Sequence, residues 1–144
     1  MCIRDSLYDG AMGTQLLARQ DRISDADYLD NPQRLPHEIL AVTRPDLLEE
    51  IHCGYLEAGA DVLETDTFQG SPRRLAEYGL EDRAYEINLA ATRCARAAAD
   101  RYSTPERPRF VAGSIGPTGA LPSSDDPVLG NVTFDELVLS LIHI

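Results

Sequence analysis

The sequence predicts an α/β fold in which short parallel strands alternate with helices. Three strand-like segments, 7–10, 60–68 and 109–115, are separated by segments in which apolar residues recur at helical spacing. Alternation of this kind is typical of parallel strands joined by crossover helices. Each strand-like segment ends in a loop rich in Asp, Thr and Gly. Because the carboxyl ends of parallel strands gather on one face, we expect these loops to form a site.

The first third of the chain contains one short strand and a long connection. The strand at 7–10 ends in a Gly-rich turn at 10–13, and residues 14–19 have the length of a helical turn. Residues 21–36 are polar and are interrupted by Pro32 and Pro36, which predicts a long surface excursion.

The next helix begins at 43–46. Pro45 suits the first helical position, and Thr43 and Asp46 have the spacing of a capping box. Apolar residues then recur at helical spacing at Leu47, Leu48, Ile51, Tyr55 and Ala58. Gly59 supplies the stop signal, and 60–68 follows as the second strand.

Two further helices precede the third strand. One opens at Ser71 and Pro72 and stops at Gly79. The longer one carries an apolar stripe at Ala84, Ile87, Ala91, Cys94 and Ala98. Residues 103–108 end it, 109–115 form the third strand, and a sharp turn at 116–119 leads into a loop at 119–130. Another helix begins at 133–136.

Composition limits the classes of protein to which the chain can belong. Hydrophobic residues make up 43%, which excludes a disordered acidic tail. A formal charge of −11 argues against nucleic acid and anionic membranes as partners. No apolar run approaches the roughly 20 residues that cross a bilayer. Three cysteines are too few for a disulfide scaffold, so we expect the reducing cytoplasm.

The two ends of the chain encode related DNA. Back-translation of residues 1–6 and 139–144 gives strings that are largely reverse complements of each other, and they resemble a transposase adapter used in sequencing libraries. We therefore expect 1–6, which includes Cys2, and 139–144 to be translated adapter. Residues 7–138 are then a partial domain.

The strand ends supply the candidate binding residues. Asp9 stands beside backbone N–H groups that Gly10 and Gly13 leave open, an arrangement that suits the amino and carboxylate ends of an amino acid. A turn with a solvated Asp is the alternative. Glu64 and Asp66 fall on one side of the second strand. They could bind a cation, act as acid and base, or hydrogen-bond neighbouring loops.

Histidine and cysteine residues show no metal-binding spacing. His52 and Cys53 are adjacent on a helix and point about 100° apart. Cys53 and Cys94 belong to separate helices without a CxxC or HxxxH pattern, and His37-Glu38 is not part of an HExxH motif. We interpret His52, Cys53 and Cys94 as packing residues and predict neither catalytic residues nor metal ligands in this chain.

Four segments resemble the N-terminal homocysteine-binding domain of cobalamin-dependent methionine synthases. They read LYDGAMGT at 7–14, YLEAGADVLETDTF at 55–68, FVAGSIGPT at 110–118 and NVTFDEL at 131–137. They occur in the family's order and spacing. Free-standing homocysteine methyltransferases share the first two segments more loosely, and 131–137 favours the cobalamin family.

The resemblance implies a (β/α)₈ barrel, of which this chain would be the N-terminal part with about three βα units. It also implies that homocysteine binds to a zinc ion held by three Cys thiolates, and that zinc lowers the pKa of the thiol. The methyl group would come from methylcobalamin, recharged from methyltetrahydrofolate on downstream folate- and cobalamin-binding domains. Cys53 and Cys94 stand at the wrong motif positions for zinc, so we expect the chain alone to be inactive.

The resemblance also assigns roles to residues. Asp9 matches the family's acidic residue that contacts the homocysteine amino group, and Asp66 stands where many members have Asn. The predicted substrate-binding set is Asp9, Gly10, Gly13, Thr14, Glu64, Asp66 and Gly116. Three alternatives remain at this point. They are a fragment of a cobalamin-independent homocysteine methyltransferase, a small α/β module that binds an amino acid or a protein, and a lyase-type barrel that uses Glu64 and Asp66 with a divalent cation.

Overall fold

A central parallel pairing organises the strands. The computed structural model describes residues 5–120, 125, 130 and 132–142. Strand β1 (Val62–Glu64) pairs in parallel with β2 (Phe110–Ala112), with Val62 opposite Phe110. On the other side of β1, Tyr8 forms a parallel bridge to Val62. The prediction of three parallel segments is confirmed.

Helices account for most of the remaining structure. They are α1 (Met12–Leu17), α2 (Leu40–Thr43), α3 (Pro45–Ala58), α4 (Pro72–Leu75), α5 (Ala84–Tyr102) and α6 (Phe134–Ile142). Short 3₁₀ helices lie at Gln20–Arg22, Asp25–Tyr28, His37–Ile39, Ala76–Tyr78 and Glu81–Arg83. Within the described residues, no helix is long and apolar enough to cross a membrane.

All three strands are shorter than the sequence predicts. The first is reduced to the bridge at Tyr8, and β1 ends at Glu64 although the predicted strand extends to residue 68. Beyond Glu64 the Thr67 N–H donates to the Thr65 carbonyl at 2.9 Å, which turns the chain. The hydroxyls of Thr65 and Thr67 lie 2.7 Å apart, and that of Thr67 donates to the Ser114 carbonyl. These side-chain bonds replace the backbone ladder.

Helix α3 follows the prediction except at its N-terminal cap. Pro45 opens it and Gly59 ends it in the left-handed region at φ 114°, where a side chain would be strained. The capping box predicted at Thr43 and Asp46 is wrong, because Arg44 is the cap residue and no side chain caps the helix there. Thr43 ends α2 instead, and its hydroxyl donates to the Asp27 carbonyl at 2.7 Å.

The later helices occur where the sequence places them. Ser71 caps α4 by accepting the Arg74 N–H at 3.3 Å, and the following 3₁₀ turn stops at Gly79 with φ 68°. Helix α6 begins with a reciprocal bond pair in which Thr133 and Glu136 each accept the other's backbone N–H. On α5 the predicted stripe is buried except at Cys94, which is only partly buried. Cys94 nevertheless packs against the hydrophobic core, in agreement with its prediction as a packing residue, and the neighbouring Ala95 is fully buried.

The main core lies between α2, α3, α5 and the connection at 21–36. Its members are Leu16, Ile23, Tyr28, Ile39, Leu40, Ala41, Leu47, Leu48, Ile51, Leu75, Ala84, Ile87 and Ala91. The interpretation of 21–36 as a surface excursion is partly wrong, because Ile23, Tyr28 and Pro36 are buried. A second cluster of Leu56, Leu63, Ala98 and Ala99 joins β1 to α3 and α5.

Candidate functional site

A cavity of about 450 Å³ lies at the carboxyl ends of the parallel strands. Its lining residues are Asp9, Gly10, Ala11, Met12, Gly13, His37, Glu38, Glu64, Thr65, Asp66, Phe68, Gln69 and Ser114. The structure therefore brings together five members of the predicted set, namely Asp9, Gly10, Gly13, Glu64 and Asp66. The parallel direction of the strands is what makes residues this distant in sequence converge.

Thr14 and Gly116, the other two predicted residues, do not line this cavity. Thr14 is exposed on α1, where its carbonyl accepts the Ala18 N–H at 3.1 Å. Gly116 packs on the cavity wall, because its N–H donates to the Phe68 carbonyl at 3.0 Å. A side chain at residue 116 would collide with that oxygen, so glycine is what permits the close approach.

The Gly-rich turn at 10–13 is fixed from α3. A Cβ on Gly10 would lie 3.0 Å from the Tyr55 hydroxyl oxygen, so the absence of a side chain makes room for the ring. The Tyr55 hydroxyl donates to the Ala11 carbonyl at 3.2 Å. Helix α3 thus holds the turn that follows Asp9.

Asp9 is held rigidly at the end of the first strand. Its backbone N–H donates to the Val62 carbonyl at 3.0 Å, and its Oδ1 accepts the Glu64 N–H at 3.0 Å. Burial raises the pKa of Asp9 to about 6; the Glu64 N–H lowers it and the Glu64 carboxylate raises it further. Asp9 is therefore an anion at pH 7 that lacks full solvation, which suits it to binding a cationic group.

His52 lies behind Asp9 in a fully buried position on α3. Its Nδ1 is 4.0 Å from Asp9 Oδ2. Burial lowers the pKa of the imidazole to about 4, so His52 is neutral at pH 7 and the contact is not an ion pair. The interpretation of His52 as a packing residue accounts for its burial but misses this carboxylate neighbour.

Asp66 and Glu38 form a second pair of buried carboxyl groups on the cavity wall. Asp66 Oδ2 has no hydrogen-bond partner among the described residues. Burial, followed by the charge of Glu38, raises the pKa of Asp66 to about 8. Glu38 Oε1 accepts the Gln69 N–H at 2.7 Å. At neutral pH Asp66 therefore retains its proton and can act as a hydrogen-bond donor, as an Asn would.

Several lining residues are not anticipated by the sequence. Ser114 lies just beyond β2, and its hydroxyl donates to Glu64 Oε2 at 3.3 Å. Its position after a strand is a signal that could have identified it. Glu38 and His37 belong to a 3₁₀ helix that directly follows the connection at 21–36, and His37 Nδ1 lies 3.0 Å from the Tyr28 hydroxyl. No periodicity or motif marks these two residues.

The cysteines do not fit a thiolate-bound zinc. Cys53 Sγ accepts from Arg101 at 3.6 Å on the far side of α3, and the Cys94 thiol lies 4.0 Å from the Pro45 carbonyl. Over residues 5–120, 125, 130 and 132–142, no three His, Cys, Asp or Glu side chains are placed to hold a metal ion. Cys2 lies outside the described residues.

Known proteins resemble this chain over most of its length. The model of the family described as homocysteine S-methyltransferase matches residues 6–141. The oxidized form of the homocysteine methyltransferase MmuM from Escherichia coli is 31% identical and has a TM-score of 0.62, and the match covers 81% of this chain. The metallated form of that enzyme is 32% identical over 80% of this chain, with a TM-score of 0.61. The chain spans 39% of the length of either structure.

Proposed function

Since the chain belongs to the homocysteine S-methyltransferase family, we propose that it forms the amino-acid-binding part of a domain that holds homocysteine while its sulfur is methylated to give methionine. The observation that carries this proposal is Asp9, an anion fixed at a strand end on the wall of a cavity. The parallel register of β1 and β2 supports a further expectation, that the chain is the N-terminal part of a (β/α)₈ barrel with about three βα units.

Asp9 is proposed to bind the ammonium group of the substrate. The Glu64 N–H holds one carboxylate oxygen, which fixes the plane of the group without neutralising its charge. Charge-assisted bonds to an ammonium are about twice as strong as neutral ones, so Asp9 would select an α-amino acid over its deaminated analogue. The turn at 10–13 would offer backbone N–H groups to the substrate carboxylate. The proton on Asp66 would keep this residue from adding its own negative charge beside the carboxylate of Glu38.

The finer proposal is a cytoplasmic enzyme of the methionine synthase type. The resemblance of 131–137 to the cobalamin family supports it. In such an enzyme methylcobalamin would supply the methyl group, and methyltetrahydrofolate on a downstream domain would restore it. The family's zinc would have its Cys ligands outside this chain, since Cys53 and Cys94 do not fit. The chain alone is therefore proposed to be inactive in methyl transfer.

A cobalamin-independent homocysteine methyltransferase is the second candidate. Similarity to the MmuM structures, at 31% and 32% identity, favours it. The two candidates share the homocysteine site and differ in the methyl donor. An assay of methyl transfer, with the chain extended to the full length of the family's members, distinguishes the two candidates. The first type requires methylcobalamin, and the second uses a small-molecule methyl donor.

Calorimetric titration of the 144-residue chain with L-homocysteine at pH 7.5 tests the common proposal. We expect saturable binding that Asp9→Asn weakens about 10- to 100-fold, since a hydrogen bond to a charged group contributes about 1.5–3 kcal/mol. The matched control is Asp82→Asn, which makes the same change at an exposed residue outside the cavity. The analogue without an amino group, 4-mercaptobutyrate, should bind the original chain and Asp9→Asn equally. Equal homocysteine affinity in the original chain, Asp9→Asn and Asp82→Asn would refute the proposal.

A further inference from the structure

The buried imidazole of His52 has no assigned role in the proposed function. It lies within α3 with 0% of its side chain exposed, and neither ring nitrogen has a hydrogen-bond partner among the described residues. A buried polar group without a hydrogen-bond partner destabilises the folded state. An apolar side chain would fill the same space without that cost, so packing alone does not explain a histidine.

Asp9 is the polar group that His52 faces. The two side chains approach to 4.0 Å between Nδ1 and Oδ2, and only 4% of the Asp9 side chain is exposed. The other carboxylate oxygen, Oδ1, accepts the Glu64 N–H at 3.0 Å. The two oxygens of Asp9 therefore face different elements. Oδ1 is held from β1, and Oδ2 is turned towards α3.

The charge states of the pair determine which hydrogen bond can form. His52 is neutral at pH 7 and so carries a single ring N–H. With the proton on Nδ1 the ring presents a donor to an anionic acceptor. With the proton on Nε2, a nitrogen lone pair would face a carboxylate oxygen, which is repulsive. Hydrogen bonds of this kind are often long in ligand-free sites and shorten when substrate binds.

We propose that His52 is a positioning residue for Asp9, whose Oδ2 receives the Nδ1–H of the neutral imidazole. This bond, together with the Glu64 N–H, holds the carboxylate from both sides and keeps it ionised towards the cavity. The inference rests on the proposed function only for the identity of the ligand that Asp9 binds. The titratable groups around the pair are Glu64 on β1 and, across the cavity, Glu38 and the protonated Asp66.

Nitrogen-15 NMR of the imidazole rings in the 144-residue chain tests the tautomer directly. We expect His52 to show a protonated Nδ1, an unprotonated Nε2 and no titration between pH 5 and pH 8. The His52→Phe variant identifies the resonances by removing them, which separates them from those of His37 and His143. A dominant Nε2–H tautomer overturns the proposal, and so does titration near pH 6.5, which an exposed or unfolded histidine would show.

The pKa of the Asp9 carboxyl, followed by carbon-13 NMR, separates positioning from packing. His52→Phe keeps the ring volume and removes the donor, so the pKa of Asp9 should rise by about one unit. His52→Asn places an amide N–H near the position of Nδ1 and should keep the pKa of Asp9 at its original value. An unchanged pKa in His52→Phe overturns the proposal. If His52→Phe does not fold, His52→Asn decides. A raised pKa of Asp9 in that variant would also overturn the proposal.

Homocysteine affinity provides the functional readout. At pH 5, which lies below both pKa values, His52→Phe should bind about 10-fold more weakly than the original chain, since one pKa unit then changes the ionised fraction of Asp9 tenfold. His52→Asn should bind within about twofold of it. If the original chain binds no homocysteine, the proposed function fails, while the tautomer and the pKa of Asp9 still decide the role of His52.

Discussion

The helical side and the strand side of the molecule differ in how completely they bury their apolar residues. On the helical side, Leu47 and Ile87 are 0% exposed. On the strand side, Tyr8, Phe110 and Ile115 are 58%, 53% and 61% exposed, although the first two belong to the paired backbone. The helices thus form a closed core from residues of this chain. Among the described residues nothing covers the outer face of the sheet, and in the proposed barrel further strands and helices would cover it.

The cavity lies where these two sides meet. Asp9 and Glu64 come from the strand ends, whereas Glu38 and His52 come from the helical side. The Asp9 carboxylate stands at the end of a short, partly uncovered strand, and a fully packed helix lies behind it. The helical core therefore stabilises the site, while the strands determine where its charges lie.

The largest expected effect tests whether stability resides on the helical side. Ile87→Ala removes a fully buried side chain from the main core and should lower the free energy of unfolding by about 4 kcal/mol. The same substitution at Ile115, which is 61% exposed, should change it by less than about 0.5 kcal/mol. Urea unfolding followed by circular dichroism measures both. Similar losses at the two positions would show that the strand side is packed as well as the helical side.

The second effect tests the boundary between the two sides. Burial gives Asp66 a pKa of about 8 in the folded chain, against an ordinary value of 3.8. Between these two pH values the folded state therefore keeps a proton that the unfolded state has lost. The free energy of unfolding should therefore fall as pH rises, by on the order of 3 kcal/mol between pH 5 and pH 7 relative to Asp66→Asn.

Urea unfolding at several pH values measures this slope, with Asp82→Asn as the control that should retain it. Asp66→Asn keeps a neutral group of the same shape and should flatten the curve. If the variant and the original chain show parallel pH curves, Asp66 is ionised in the folded state and the cavity wall carries a full additional charge.

The smallest effect tests the strand side alone. Because the pKa of Asp9 is about 6, its carboxylate is mostly protonated at pH 5, and homocysteine should bind about 10-fold more weakly there than at pH 7. Calorimetric titration at the two pH values measures the change. Asp9→Asn should lose this pH dependence. An unchanged affinity at pH 5 would show that the ammonium group binds elsewhere.

Much of the fold follows from local sequence signals. Pro45 and Gly59 bound α3, and Ser71 and Gly79 bound α4 with its 3₁₀ extension, because proline and left-handed glycine act through the conformation of the neighbouring residues alone. The parallel order of the strands followed from their alternation with helices. Strand length did not, because the hydroxyls of Thr65 and Thr67 bond across to Ser114, which lies more than 40 positions away.

The candidate site was also partly predictable from the sequence. Asp9, Glu64 and Asp66 could be placed together because strand ends of a parallel sheet share one face. Glu38 could not, because its place on the cavity wall depends on the path of a long connection whose apolar residues enter the core. A sequence pattern shows which residues are adjacent in the chain, but it does not show where a long connection packs in the folded structure.

By itself, the sequence determined the order of the elements, the ends of most helices, the position of three carboxylates at strand ends and the resemblance to the homocysteine S-methyltransferase family. Three further features follow only from the folded arrangement. His52 lies behind Asp9, and Asp66 retains its proton. Thr14 and Gly116 do not line the cavity. The physical reason is that local conformation depends on adjacent residues, whereas burial and electrostatic environment depend on groups brought together from distant parts of the chain.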